Sequence, residues 1–127
     1  MTPELEQLLY TKFPKLYAQR NLSMMETLMC WGIEPGTGWF LLIYNLSEAL
    51  EAINNKAGAE FTVEATQVKE KYGGLRFYVN GYTPEVSKLI KFAEHQSYRT
   101  CEICGSPGRL NDGSWKMVRC GRHARGY

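Results

Sequence analysis

The sequence predicts an α+β domain in which helices pack on a small antiparallel β-hairpin, followed by a compact C-terminal module. Three observations support this prediction. Two segments begin with Thr-Pro-Glu and continue with apolar residues at helical spacing. Residues 61–80 are rich in β-forming residues around a Gly-Gly pair. The last quarter of the chain carries a C-x2-C pair and a C-x2-H pair. The length of 127 residues and the hydrophobic content of 44% suit a single domain, residues 1–127.

The first helix should begin after Thr2, which is a capping residue followed by Pro3 at the first helical position and an acid in the first turn. Phe13-Pro14 should end this helix, because proline disfavours helical backbone in the residue before it. Residues 15–36 contain apolar clusters without a clear period. They receive no secondary-structure assignment.

A second, longer helix should follow the flexible run 36–38, with Thr37 as its candidate cap and Gly58 as its terminator. A third helix should start at Thr83-Pro84-Glu85 and reach about Ser97. Each has one apolar stripe, formed by Trp39, Leu42, Ile43, Leu46, Leu50 and Ile53 in the second helix, and by Val86, Leu89, Ile90 and Ala93 in the third.

Between these helices, Gly73-Gly74 predicts a two-residue hairpin turn that pairs Tyr72 with Leu75 and Lys71 with Arg76. This register gives the hairpin an apolar face and a basic, aromatic face; the second carries Lys69, Lys71, Arg76 and Tyr78. The apolar residues of 61–65 have the opposite parity, which predicts a bulge between Ala65 and Val68. Glu70 falls on the apolar face, so it is either a buried acid or a sign of a register error.

The C-terminal module contains four potential metal ligands, Cys101, Cys104, Cys120 and His123. Two ligand pairs of x2 spacing, fifteen residues apart, predict one tetrahedral zinc ion with a structural role, in a module of the zinc-ribbon or treble-clef type over residues 98–127. Asn111-Asp112-Gly113 predicts a hairpin turn that brings the two pairs together. Chance spacing of ordinary thiols and a catalytic zinc are the alternatives. A catalytic zinc keeps one coordination position open, whereas here four protein ligands are present.

Part of the sequence resembles small uncharacterised proteins of bacteriophages and prophages. The residues that carry the resemblance are the run 67–78 (QVKEKYGGLRFY), the runs 99–105 (RTCEICG) and 108–110 (GRL), and shorter matches at 30–32 and 38–40. It covers most of the chain from about Met24 onward. Relatives often carry a cysteine where this chain has Glu34-Pro35-Gly36, which argues against a second metal site at Cys30. The resemblance implies phage origin but no established activity.

Charge is distributed unevenly along the chain. Residues 1–66 contain four basic and eight acidic side chains, whereas residues 98–127 contain six basic and two acidic ones. The cationic end favours anionic partners. Basic residues near the metal ligands extend the basic hairpin face into a candidate surface for nucleic acid or another partner; they are Arg109, Lys116, Arg119, Arg122 and Arg125. An ordinary solvated face is the alternative, since the sequence pI is about 8.3.

The longest apolar run, residues 39–44, is six residues, and the N-terminus lacks the pattern of a secretory signal. We therefore expect a cytoplasmic protein, in the bacterial host if phage-encoded, without membrane partners. Cys30 is expected to be a small buried hydrophobe and His95 a helix-surface residue. Trp31, Trp39 and Trp115 are expected to pack in the core or beside the zinc, although tryptophan also anchors interfaces.

These observations lead to three functional hypotheses. The first is a non-enzymatic, zinc-stabilised binding protein that docks on a host or phage protein, with inhibition of a bacterial defence system as one such role. The second is an accessory protein that binds nucleic acid through the basic hairpin face and the zinc segment. The third, a small hydrolase or nuclease, would require a pocket of acids near Glu26, Glu34 or Glu70, and we find no assembled catalytic residues.

Overall fold

A computed structural model describes residues 1–56 and 58–124. These described residues form three α-helices, α1 (Pro3–Lys12), α2 (Phe40–Asn54) and α3 (Pro84–Ser97). Strands β1 (Glu64–Lys71) and β2 (Gly74–Asn80) form one antiparallel hairpin, and β3 (Arg109–Leu110) and β4 (Val118–Arg119) form a second, very short one. The predicted α+β class is confirmed.

Both Thr-Pro-Glu helix starts are confirmed. The hydroxyl of Thr2 accepts a hydrogen bond from the backbone N–H of Leu5 at 3.3 Å, and that of Thr83 accepts one from Val86 at 3.2 Å. The first helix ends before Phe13, whose N–H caps it by donating to the Leu9 carbonyl. A local capping signal was therefore sufficient to place these helices.

Helix α2 begins after the run 36–38, as predicted, but neither of its predicted end signals is used. A 3-10 turn over Thr37–Trp39 leads into the helix, and no side chain caps either element. At the other end α2 stops at Asn54, so Gly58, which has φ +79°, lies beyond the helix terminus. The predicted apolar stripe is present, with its central residues fully buried and Leu42 and Ile53 partly buried.

The first hairpin has the predicted faces but a different register. Its turn is Tyr72-Gly73, both with positive φ, so Lys71 pairs with Gly74 where Arg76 was predicted. A shift of two residues keeps the side chains of the paired strand residues on their predicted faces, because side chains alternate with period two, whereas Tyr72 moves from the strand into the turn. The predicted bulge is confirmed between Ala65 and Gln67.

Gly74 is needed for packing, since a Cβ at this position would lie 2.3 Å from the ring of Tyr98. This contact, between positions far apart in the sequence, accounts for a glycine at position 74 that is not part of the turn. The turn instead places a non-glycine residue, Tyr72, at φ +52°.

The core lies between the inner face of the first hairpin and the helices. The residues with no exposed side-chain surface include Leu9, Leu16, Tyr17, Trp39, Ile43, Leu50, Val63, Val68 and Leu75. Residues 15–36, unassigned from the sequence, form short 3-10 turns at Ala18–Asn21 and Leu28–Trp31 and one parallel bridge from Ile33 to Val68.

A buried carboxylate fixes this irregular segment to α2. Glu51 accepts hydrogen bonds from the backbone N–H groups of Lys15 and Leu16 and from the amide of Asn54, each at 2.9 Å. Asn54 in turn binds both backbone groups of Val63. These bonds satisfy donors of a segment that has little regular structure of its own.

Candidate metal centre

The four predicted ligands come together at one point. The sulfur atoms of Cys101, Cys104 and Cys120 and a ring nitrogen of His123 all lie within 4.8 Å of one another. Among the described residues this is the one group of three or more Cys, His, Asp or Glu side chains close enough to share a metal ion. Two sequence pairs separated by fifteen residues therefore converge on a single site.

The distances within the cluster suit tetrahedral coordination. The sulfurs of Cys104 and Cys120 are 3.6 Å apart, and Nδ1 of His123 lies 3.3 Å from the Cys120 sulfur and 3.6 Å from the Cys101 sulfur. An ion about 2.3 Å from sulfur and about 2.05 Å from nitrogen would separate two sulfurs by about 3.8 Å and a sulfur and a nitrogen by about 3.6 Å. The ligand atoms thus already surround a space of the right size.

The first ligand pair lies in a tight turn, which we call the first knuckle (Cys101–Ser106). Its ends are joined by a hydrogen bond from the Cys101 N–H to the Ser106 carbonyl at 2.8 Å, and the N–H of Gly105 donates to the Cys101 carbonyl. Gly105 has φ +83°, a conformation that glycine adopts without a Cβ clash and that lets the chain fold back around the sulfurs.

Backbone and side-chain donors face the sulfurs in both turns. Hydrogen bonds from the side chain and the N–H of Ser106 lower the pKa of the Cys104 thiol to about 7. Burial opposes ionisation of Cys101, but the N–H groups of Cys120 and Cys104 contribute to lowering its pKa. Desolvation raises the pKa of Cys120. Such donors stabilise thiolates, the form in which cysteine binds metals.

The first knuckle is docked on the loop that precedes α2. The side chain of Glu102 accepts a hydrogen bond from the Gly36 N–H at 2.9 Å, and its carbonyl accepts one from Gly38 at 2.7 Å. The indole of Trp39 donates to the Thr100 carbonyl at 2.8 Å. The run 36–38, interpreted from the sequence as flexible, is therefore a fixed docking surface for the metal site.

Close approach explains the glycines of this loop. A Cβ on Gly38 would lie 2.1 Å from the Cys101 carbonyl oxygen, and one on Gly36 would lie 2.6 Å from that of Glu102. Real side chains do not approach backbone atoms so closely, so both positions require glycine.

The metal-binding module also contacts the tip of the first hairpin. A Cβ on Gly73 would lie 2.5 Å from a side-chain carbon of Leu110 and 3.3 Å from the Met117 nitrogen. The loop from Asn111 to Met117 therefore lies against the Tyr72-Gly73 turn. It is longer than the tight turn predicted at Asn111-Asp112-Gly113, although β3 and β4 pair as expected.

The basic residues of the first hairpin share its outer face. Lys69 pairs with Arg76 across the strands, and Tyr78, two residues further along β2, lies on the same face. Arg76 is partly buried and donates a hydrogen bond to the hydroxyl of Tyr98 at 3.3 Å. Lys71 and Tyr78 are exposed.

The basic residues near the metal cluster differ in availability. Arg119 forms an ion pair with Glu102 at 3.7 Å and is largely buried, so it is not a free surface cation. Arg109 and Arg122 are exposed, while Lys116 is partly buried and donates to the Asn111 carbonyl. Arg125 lies outside the described residues.

The remaining candidates occupy varied environments. Cys30 is separate from the metal cluster but only partly buried, so the expectation of a buried residue is met only in part. His95 is exposed, as expected. Trp39 is fully buried, but the expectation of packing is wrong for Trp31 and Trp115, which are largely exposed. Glu70 lies on the apolar face, partly buried, and accepts a hydrogen bond from the Gly73 N–H.

Sequence reasoning missed two features that surround this centre. The first is the role of Glu102 in docking the knuckle, because its partners in the loop before α2 lie more than sixty positions away in the sequence. The second is a run of exposed apolar residues in the irregular segment, namely Leu22, Met24, Met25, Leu28 and Trp31. Local sequence patterns give no signal for the role of Glu102. For the exposed apolar run, the one visible signal was the adjacent pair Met24-Met25.

The fold and the site define a small α+β protein with a cluster of three cysteines and one histidine in its last quarter. Comparison with protein-family models, curated proteins and solved structures finds no match to this chain. The resemblance to phage proteins thus stays an expectation. Within the described part of the chain, no helix has the length and apolar composition needed to cross a membrane.

Proposed function

We propose that the cluster binds one Zn²⁺ ion with a structural role. Three thiolates and an imidazole are donors that zinc prefers, and they supply the four ligands typical of structural sites. Two of these ligands belong to a turn that is hydrogen-bonded to the loop before α2, so the ion would hold the module in place. Metal analysis of the purified protein, with one zinc per chain as the expected result, tests this proposal.

We further propose that the protein is a non-catalytic module that binds single-stranded nucleic acid. The observation that carries this proposal is the cationic, aromatic outer face of the first hairpin, with Lys69, Lys71 and Arg76 near its turn and Tyr78 beside them. Cationic groups that follow the phosphates, together with aromatic rings on which bases stack, are the usual means of binding single strands.

The hairpin face lies in a part of the chain where basic side chains outnumber acidic ones. Residues 67–127 contain eleven basic and five acidic side chains. Three of the five acids accept internal hydrogen bonds: Glu70 from Gly73, Glu94 from Phe77, and Glu102 from Gly36. The sequence pI of about 8.3 averages these residues with residues 1–66, which contain four basic and eight acidic side chains, and therefore understates how basic this part of the chain is. Glu34 and Glu64 lie beside the far half of the hairpin, away from the turn.

Fluorescence anisotropy with a labelled dT20 oligonucleotide at several salt concentrations tests this function. Wild-type protein should bind with an affinity that falls as salt rises. The double variant Lys69→Glu/Lys71→Glu should bind at least tenfold more weakly, and its slope of log affinity against log salt should be shallower by about 1.4, the loss of two phosphate contacts to a single strand.

The matched control is Lys12→Glu/Lys56→Glu, which changes net charge equally but alters exposed residues outside the hairpin. It should retain wild-type affinity to within about twofold. If both double variants weaken binding to the same extent, only net charge matters and the hairpin face is not the binding surface.

The exposed apolar segment favours a second function, docking on a protein partner with an apolar surface. Met25 is 90% exposed and Trp31 is 60% exposed, and methionine and tryptophan suit adaptable and anchoring contacts. A host or phage protein remains our proposed partner. Such a partner should be lost by Met25→Ser/Trp31→Ser and retained by Lys69→Glu/Lys71→Glu, and the opposite pattern would reject this function.

A further inference from the structure

An open cleft of about 860 Å³ lies beside the metal cluster. The short β3–β4 hairpin, the loop that joins its strands and the turn that carries Cys120 form its walls. Its lining includes Arg109, Arg119, Trp115 and Asn111. This volume lies within the range of about 300–1,000 Å³ that is usual for sites of small organic ligands.

Two arginines oppose each other at the base of this cleft. Arg109 pairs directly with Arg119 across the strands, so both side chains leave the same face of the ribbon. Like charges in directly opposite positions are unfavourable. Glu102 compensates Arg119 at 3.7 Å, whereas Arg109 has no acidic partner within residues 1–56 and 58–124. An anion bound at Arg109 would remove this imbalance.

The loop of the cleft presents an aromatic ring in a fixed backbone. Trp115 is 78% exposed. The side chain of Asn111 donates to the Trp115 carbonyl at 2.8 Å and accepts from the Met117 N–H at 3.1 Å. These bonds span the loop, so little backbone entropy would be lost when a ligand packs on the indole.

We propose that this cleft binds one nucleotide of a single-stranded nucleic acid, with the base stacked on Trp115 and the adjoining phosphate held by Arg109. The proposal rests on the proposed nucleic-acid-binding function and names the subsite within it. A guanidinium and an exposed indole that share one cleft match the two chemical parts of a nucleotide, its phosphate and its base. A simple inorganic anion would make no use of the indole.

The experiment uses the zinc-loaded full chain and dT20, with anisotropy and tryptophan fluorescence as readouts. Trp115→Ala should weaken binding by roughly 5- to 150-fold, the range for loss of one stacked base. Trp115→Phe should restore most of the affinity, because it retains a ring. Phe92→Ala removes another exposed aromatic ring, on α3, and serves as the matched control, with unchanged affinity. The fluorescence quenching that dT20 causes should be much smaller in Trp115→Ala than in Phe92→Ala.

Arg109→Gln tests the phosphate contact separately. It should make the slope of log affinity against log salt shallower by about 0.7, one phosphate for a single strand. If Lys69→Glu/Lys71→Glu weakens binding while Trp115→Ala and Arg109→Gln leave affinity and quenching unchanged, this subsite is rejected and the proposed function stands. If wild-type protein does not bind dT20, both are rejected. Equal losses in Trp115→Ala and Trp115→Phe, with normal zinc content, would also reject stacking.

Discussion

Loss of the metal should release the C-terminal module from the rest of the protein. Cys101→Ser is the most direct perturbation, because Cys101 is a fully buried ligand and serine nearly preserves its size. Cys30→Ser is the matched control, since Cys30 is a free cysteine away from the cluster. The variant should contain less than one zinc per chain, whereas the control should contain one.

The expected loss of stability follows from linkage. With free zinc at about a thousand times its dissociation constant, binding stabilises the folded state by about 4 kcal/mol. For 127 residues the entropy of unfolding is about 0.27 kcal/mol per kelvin, so losing this term should lower Tm by about 15 °C. Thermal unfolding followed by circular dichroism, at fixed zinc concentration, measures this shift.

Hydrogen exchange then shows where stability is lost. The N–H groups of Gly38 and Cys101 bind carbonyls of the first knuckle, so their protection should fall in Cys101→Ser. The N–H of Ala65, which donates to the Leu16 carbonyl, should remain protected relative to them. A variant that keeps one zinc per chain and the wild-type Tm would refute the four-ligand site.

Three further predictions concern residues around the core and the centre. Glu51→Gln should lower the free energy of unfolding by about 3 kcal/mol and Tm by about 10 °C, because an amide donor replaces an acceptor of buried N–H groups. The control Glu48→Gln, on the exposed side of α2, should leave Tm unchanged. Equal Tm values for the two variants would contradict the role of Glu51. Gly38→Ala should weaken zinc binding in a chelator competition, whereas Gly121→Ala, where a Cβ meets no neighbour within 4 Å, should not. In metal-free protein, alkylation of Cys104 should accelerate as pH rises through about 7, because the thiolate is the nucleophile. Bound zinc should suppress the alkylation. A midpoint of the rate against pH near 9 would contradict the lowered pKa of the Cys104 thiol.

Features encoded by neighbouring residues could be predicted from the sequence. The Thr2 and Thr83 caps depend on side chains within one helical turn, and the hairpin faces depend on alternation alone. The convergence of the four ligands also followed from spacing, because each pair lies in one short turn. Local chemistry and short-range geometry were sufficient in these cases.

Features determined by distant contacts could not be predicted. The Gly-Gly pair misled the register prediction because Gly74 is required by the ring of Tyr98, which lies against it, while the turn places Tyr72 at positive φ. The role of Gly36 depends on Glu102, and the path of residues 15–36 depends on the carboxylate of Glu51. Nothing near these residues in the sequence indicates the partner, so only a tertiary structure could assign them.

The two proposed functions of the C-terminal half are physically linked, because the metal-binding module packs on the tip of the hairpin. Leu110 and the Lys116–Met117 backbone lie against Gly73, which sets the position of the Trp115 loop relative to Lys71. Without zinc, the hairpin would keep its own lysines but lose the fixed neighbouring cleft. Chelation should therefore weaken dT20 binding and make its salt dependence shallower, while Lys69→Glu/Lys71→Glu should weaken it further. If chelation abolished all binding while the first hairpin stayed folded, the zinc module alone would be the binding surface, and the role proposed for the hairpin face would be wrong.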